Sequence, residues 1–169
     1  MLRGEHDFDA FVAARSAPLF RTATLLTGGD AAAAADAVQN TMLELWRRWA
    51  RVRTMDRADG YAYRVLATQV LRGRRGALKL VPTETVPDQP VDDIATTAAT
   101  RSDMWSVVRS LPDVQRAVVV LRFYEDMTEA QTADALDIAV GTVKSHTSRA
   151  LATLRRVLGE QLAAGGSHD

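Results

Sequence analysis

Apolar positions recur every three or four residues along most of the chain and nowhere alternate, a pattern that predicts helices and no strands. Phe8, Phe11, Val12, Leu19 and Leu25 outline a first amphipathic helix, in which Pro18 marks a start or a kink. Leu26-Thr27-Gly28-Gly29-Asp30 reads as a turn, with Asp30 placed to cap the alanine-rich helix that follows. Val38, Met42, Leu45 and Trp49 share a narrow sector of that helix, whereas Leu43 lies on the other side beside Gln39, Trp46 and Arg47. Such a patch is either a partner surface or the margin of a wide core face. Asp59-Gly60 signals a turn, and Tyr61, Tyr63, Val65, Leu66 and Val70 then open a third helix that ends among Arg72, Arg74, Arg75 and Lys79.

The periodicity stops between Val81 and Thr100, which hold three of the five prolines and four acidic residues. This stretch reads as a flexible linker between domains at 1–80 and 101–160, with 161–169 as a disordered tail. Fully extended, a linker of this length spans at most roughly 66–72 Å. Beyond it, Met104, Val107, Val108 and Leu111 mark one helix, Pro112 opens the next, and Val114, Ala117, Val118 and Leu121 line its inner face. The Val118-Val119-Val120 run resembles a strand only in composition; it is short and has helical flanks.

Thr128 to Arg156 is the most informative stretch. Thr128 with Gln131 three residues on is a capping box, and Asp137 can adopt the left-handed turn that ends a short helix. From about Val140, Val143, Thr147, Leu151, Leu154 and Leu158 fall within one sector roughly 80° wide. Thr142, Ser145 and Arg149 face away, flanked by Lys144 and His146. Hydroxyls and cations on the second helix of a helix-turn-helix are suited to phosphates and guanine edges in a major groove. An ordinary helical hairpin with a solvated face is the plainer alternative. Aromatics beside arginines near Tyr61 and Arg72 suit melted or single-stranded nucleic acid, although a basic helix end also answers the helix dipole.

The chain of 169 residues has zero formal charge, which hides its segregation. Residues 1–80 carry 13 basic and 8 acidic groups, residues 81–100 carry none and 4, and residues 101–169 carry 8 and 9. The absence of cysteine removes disulfides and thiolate metal sites, and the three scattered histidines offer no metal cluster. No apolar run reaches the roughly 18 residues of a membrane span, and the N-terminus is not a signal peptide, so a cytoplasmic protein without membrane insertion is expected. Phosphate-loop, HExxH, GxSxG and CxxC patterns are missing, and no carboxylate sits in an apolar run. The reading is of a protein that is not an enzyme and that needs neither cofactor nor metal.

The order of parts is a further clue. DAVQNTMLELWRRWARV (Asp36–Val52), YAYRVLATQVLRGRRG (Tyr61–Gly76), the acidic linker, and LPDVQRAVVVLRFYEDMTEAQTADALDIAVGTVKSHTSRALATLRR (Leu111–Arg156) together resemble an extracytoplasmic-function sigma factor of the small two-domain actinobacterial type. The resemblance spans nearly the whole chain and implies an all-α protein made of a sigma-2 and a sigma-4 domain. It also implies a role in directing core RNA polymerase to promoters. On this reading Asp36, Gln39, Asn40, Leu43, Trp46 and Arg47 meet the β′ clamp helices, and the β flap is a further part of core polymerase implied as a partner. Arg57, Tyr61, Arg64, Thr68, Arg72, Arg74 and Arg75 act at the −10 element, and Thr142, Lys144, Ser145, His146 and Arg149 act at the −35 element of promoter DNA. An anti-sigma factor is a further implied partner.

The chain departs from the family pattern at five positions. Thr68 stands where Asn is usual, His146 where Arg is common, Asn40 where Glu is common, Asp137 for Gly and Ala139 for Ser. The string TVKSHTSRAL also resembles the output domain of response regulators, so a free-standing helix-turn-helix regulator is the alternative. A purely structural helical adaptor would leave the Thr142–Arg149 face without a use.

Overall fold

The computed structural model describes residues 2–79 and 101–165, with side chains for 6–73 and 104–160. Among these residues there are helices and turns and no strands. Helix α1 (Leu2–Leu26) leads to α2 (Ala31–Arg47), the single turn α3 (Trp49–Val52) and α4 (Ala58–Lys79). Helices α5 (Arg101–Ser110), α6 (Asp113–Val119), α7 (Glu129–Leu136) and α8 (Val140–Gly165) form the second region. The linker expected at 81–100 and the last residues of the tail, 166–169, lie outside the described residues. Among the described residues, no helix is long and apolar enough to cross a membrane.

Local chemistry sets most of the boundaries. Gly28 and Gly29 take positive φ values of 72° and 95°, conformations that cost a residue with a Cβ more than glycine, and so turn the chain out of α1. Asp30 then accepts a 2.9 Å hydrogen bond from the Ala33 amide and caps α2. In the first region α1, α2 and α4 pack on one another around Leu19, Leu45, Val52 and Leu66, all essentially inaccessible to water. In the second, α6, α7 and α8 close over Val107, Val118, Leu121 and Val143. Each such leucine or valine contributes roughly 1.5–3 kcal/mol by leaving water.

Two expectations are corrected, one of two alternatives is closed, and one feature was not foreseen. Asp59 and Gly60 are not a turn but the first turn of α4; the chain reverses just before it, at 53–57, and Asp59 adds a carboxylate at the positive end of the helix dipole. Pro18 does not begin a helix, because α1 runs through it from Leu2 to Leu26. The tail expected at 161–169 is helical as far as Gly165, so α8 continues beyond the expected end of the domain at 160. The valine run is helical as anticipated, but α6 passes into a π-helical turn at Val120–Tyr124 that the sequence did not announce. There the Glu125 amide donates to the Val120 carbonyl at 3.0 Å, five residues back.

The two regions also touch. Helix α4 lies against α7, and α1 meets α6 and the π-helical turn. Arg116 of α6, only 3% exposed, donates to the carbonyl of Leu26 at the end of α1 (2.9 Å), and to those of Arg109 and Leu111 (2.9 Å each). It also pairs with Asp113.

Candidate nucleic-acid interface

Three surfaces gather the residues singled out from the sequence. The first is the exposed side of α8. Thr128 and Gln131 form both bonds of the capping box, with amide-to-side-chain distances of 2.8 and 3.2 Å, and so fix the start of α7. Asp137 takes the left-handed conformation at φ 55°, which turns the chain into α8. The Ala139 carbonyl accepts from the Val143 amide at 3.1 Å, but its methyl side chain supplies no cap.

Val143 and Ala150 are fully buried beneath α8 and Leu154 nearly so, which leaves Lys144, Ser145 and Arg149 exposed on the opposite side. Thr142 and His146 sit half-buried at the margin rather than in the middle of the exposed face. Lys144 is 3.8 Å from Glu129, a loose pairing that leaves its ammonium available. Burial, and then the nearby Arg149 charge, lower the His146 pKa. Its Nδ1 is buried without a hydrogen-bond partner. His146 is therefore a neutral imidazole near pH 7, unlike the cation that an arginine would bring.

The second surface is a groove of about 400 Å³ where α4 faces the α2–α3 corner. It brings together Tyr61, Arg64, Thr68 and Arg72, four of the residues expected to act on the −10 element. Arg48 and Arg51 join them. Sequence reasoning missed these two; the signal was the closely spaced run Arg47, Arg48, Arg51 and Arg53, of which Arg48 and Arg51, at the single turn α3, reach the groove. Among the described residues the one acidic group lining the groove, Glu44, is held by Arg48 at 2.8 Å. Arg48 also donates to the Tyr61 hydroxyl at 3.3 Å, fixing the ring at the groove wall.

Thr68 donates its hydroxyl to the Arg64 carbonyl at 2.9 Å, so its one proton is spent within α4 and only acceptor capacity faces the groove. Arg57 is exposed but stands apart from this groove, in hollows on the other side of the α4 start. Arg74 and Arg75 belong to α4, but their side chains lie outside those described.

The third surface is the outer side of α2. Leu43 and Trp46 are 49% and 45% exposed, large for residues of this kind, with Gln39 and Arg47 exposed beside them. At that exposure Leu43 and Trp46 do not belong to a core face. Phe8 supports the Trp46 ring from beneath at 5.0 Å between centroids. Asp36 and Asn40, also exposed, stand about two turns and one turn before Leu43 at the edge of this surface, where they line a hollow of about 460 Å³ with Gln69 and Gly73 of α4.

Comparison with known proteins adds to this geometry. Residues 11–78 match the family description Sigma-70 region 2, and residues 101–154 match Sigma-70, region 4. The chain is 38% identical over 155 residues to the RNA polymerase sigma-E factor of Streptomyces coelicolor, covering 90% of this chain and 86% of that protein. It is 34% identical over 151 residues to the ECF RNA polymerase sigma factor SigL of Mycobacterium tuberculosis, covering 86% of this chain and 85% of the relative. Among solved structures, the sigma factor RpoE bound to the anti-sigma factor NepR from Bartonella quintana superposes with a TM-score of 0.67 at 19% identity, over 90% of this chain and 97% of that one. CnrH in complex with the cytosolic domain of CnrY gives 0.60 at 21% identity, over 92% and 90%. At these identities the structural likeness speaks for the fold alone.

Proposed function

The chain belongs to the extracytoplasmic-function RNA polymerase sigma factors, and from that premise we propose where each of its surfaces acts. A sigma factor is a non-enzymatic initiation factor: it lends core polymerase its promoter specificity. We assign residues 1–80 to polymerase binding and the −10 element, and residues 101–160 to the −35 element, with the stretch between as the connection. The free-standing regulator is not favoured, because a region 2 match precedes the helix-turn-helix.

The observation that carries the −35 assignment is the two-sidedness of α8. Val143, Ala150 and Leu154 anchor one side, and Lys144, Ser145 and Arg149 stand exposed on the other. A major groove about 12 Å wide admits such a helix, the two cations taking phosphates or a guanine edge and Ser145 either. Thr142 and His146 border that contact. As a neutral ring, His146 offers Nε2 as a single donor or acceptor in place of an arginine fork. The groove of Arg48, Arg51, Arg64 and Arg72, with Tyr61 on its wall, suits a melted strand: cations for phosphates and a ring for stacking.

Leu43, Trp46, Gln39 and Arg47 form the surface offered to the β′ clamp helices of core polymerase, with Asp36 and Asn40 at its edge. One solved structure of this fold, the sigma factor RpoE, was captured with the anti-sigma factor NepR, and we extend such a partner to this chain. Action on DNA and polymerase places the protein in the cytoplasm.

The test is run-off transcription with core polymerase on a pooled library of upstream fragments. Starts that depend on the added protein and disappear with Arg149→Ala are expected. Starts indifferent to Arg149 would refute the −35 assignment, and failure to bind core polymerase would refute the polymerase surface.

A further inference from the structure

The arginines that line the groove between α4 and the α2–α3 corner are not equivalent. Arg51 and Arg72 are exposed, and among the described residues neither has a carboxylate partner. Arg48 is fixed in both backbone and side chain. Its amide donates to the Leu45 carbonyl at 3.1 Å, and its own carbonyl accepts from the Arg51 and Val52 amides at 2.9 and 3.0 Å. Its Nε lies 2.8 Å from Glu44, one turn back on α2, with acid before base in the order that favours pairing along a helix. Its Nη1 then donates to the Tyr61 hydroxyl at 3.3 Å. Glu44, Arg48 and Tyr61 thus form a chain from α2 across the corner to the first turn of α4.

Two roles call for different chemistry. A cation that meets a phosphate needs free N–H groups and a stem able to follow the strand, which describes Arg51 and Arg72. Arg48 has its Nε and one Nη already occupied. A ring that stacks on a base gains from being held beforehand, because a mobile ring must give up its rotamer freedom as the strand arrives. The phenolic hydroxyl is the one polar handle on such a ring, and Arg48 takes it.

We propose that Glu44 and Arg48 are positioning residues for promoter opening. Glu44 orients the Arg48 guanidinium, Arg48 holds the Tyr61 ring at the wall where a melted base stacks, and Arg51 and Arg72 take the phosphates. This rests on the −10 reading made above and refines it, by removing Arg48 from the phosphate contacts. The two kinds of contact move different quantities. Losing a phosphate-binding cation lowers the slope of log affinity against log salt by about 1. Loosening a held ring leaves that slope alone and slows the opening of the strands.

The test uses holoenzymes assembled with full-length variants and a promoter fragment identified by the run-off assay. The fragment carries 2-aminopurine in the non-template strand of the −10 element, and its fluorescence rises as the base unstacks. Arg48→Ala and Tyr61→Phe should each slow opening about fivefold, the worth of one hydrogen bond from a charged donor, with the salt slope unchanged. The double variant should be no slower than either single one, because both remove the same bond. Glu44→Gln, which keeps the volume but frees the guanidinium, should slow opening by a smaller factor. Arg48→Lys keeps the charge without the planar fork and should not recover the rate. Arg51→Ala and Arg72→Ala should each lower the salt slope by about 1.

Additive losses in the double variant, full recovery with Arg48→Lys, or a salt slope lowered by Arg48→Ala would overturn the positioning role and return Arg48 to the phosphates. Failure of the −10 reading itself looks different: Tyr61→Ala holoenzyme would then open the promoter as fast as the unsubstituted one. Slow opening with Tyr61→Ala beside a normal rate with Tyr61→Phe would leave the −10 reading standing and sink the proposal.

Discussion

Replacing Arg116 by Ala tests how far one buried cation holds the second region together. The guanidinium is 3% exposed and supplies hydrogen bonds of 2.9 Å to the carbonyls of Leu26, Arg109 and Leu111, besides its pairing with Asp113. Each buried carbonyl that loses a donor costs about 1–3 kcal/mol, and removing one member of a buried charge pair costs about 3–5 kcal/mol. The charge-pair range is taken for the whole site, with the carbonyl costs not added to it, because Asp113 and Gly28, which lies against the guanidinium, are only half-buried, so water can reach part of the vacated space. A loss of about 3–5 kcal/mol is a large part of the roughly 5–15 kcal/mol that stabilises a domain. With a urea slope near 2 kcal/mol/M, the midpoint should fall by about 2 M. Fluorescence of Trp105, the tryptophan of the second region, follows that unfolding. Arg116→Lys keeps the charge but not the planar fork, and should recover less than half of the loss. A midpoint shift under about 0.5 M for Arg116→Ala, with the slope unchanged, would refute the accounting.

Other outcomes follow from the same geometry. Leu43→Ala should weaken binding to core polymerase by about 2 kcal/mol, some thirtyfold, while thermal stability moves by less than about 0.5 kcal/mol, as read by titration and calorimetry. Lys144→Ala and Arg149→Ala should each lower the slope of log affinity against log salt by about 1 on promoter fragments bound by holoenzyme. Ala139→Ser should stabilise the second region by about 1 kcal/mol in urea unfolding, by giving α8 the side-chain cap it lacks. Burial, reinforced by Glu125, pushes the Tyr63 pKa from 10.0 up to about 12, so the folded protein holds that proton more tightly than the unfolded chain. The associated stability is full below pH 10 and drains away as the pH rises toward 12. In Tyr63→Phe, unfolding midpoints measured across that interval should decline less steeply.

Features written in adjacent residues were legible. The capping box at Thr128–Gln131, the left-handed Asp137, the Asp30 cap and the exposed Leu43 and Trp46 are all set by local spacing, and the structure holds them as read. The exposed face of α8, proposed for the −35 element, was also readable as a face, because helical periodicity separates Val143 and Leu154 from Ser145 and Arg149. Asp59-Gly60 was misread because composition cannot tell a turn from a helix start; acids favour both. Arg48 and Arg51 were passed over because their place in the groove depends on where α3 packs. Contacts across the two regions left no local trace. Arg116 and Leu26 are 90 residues apart, and Thr22 and Glu125 are 103 apart. In sequence, Arg116 and Glu125 are indistinguishable from solvated charges.

The π-helical turn at Val120–Tyr124 acts as a one-residue insertion in a helix that would otherwise continue from α6. An extra residue rotates everything after it by about 100° around the axis. That phase shift sets which groups leave the turn outward, as Phe123 and Tyr124 do, and which leave it inward, as Glu125 does toward Thr22. Deleting a single residue from this segment would restore a regular α-helical frame and swing the carboxylate off α1, while most of the hydrophobic pattern upstream stayed intact. Length variation at this one locus is thus a dial on the coupling between the two halves of the molecule, and it could be turned without replacing any side chain proposed to meet DNA or polymerase.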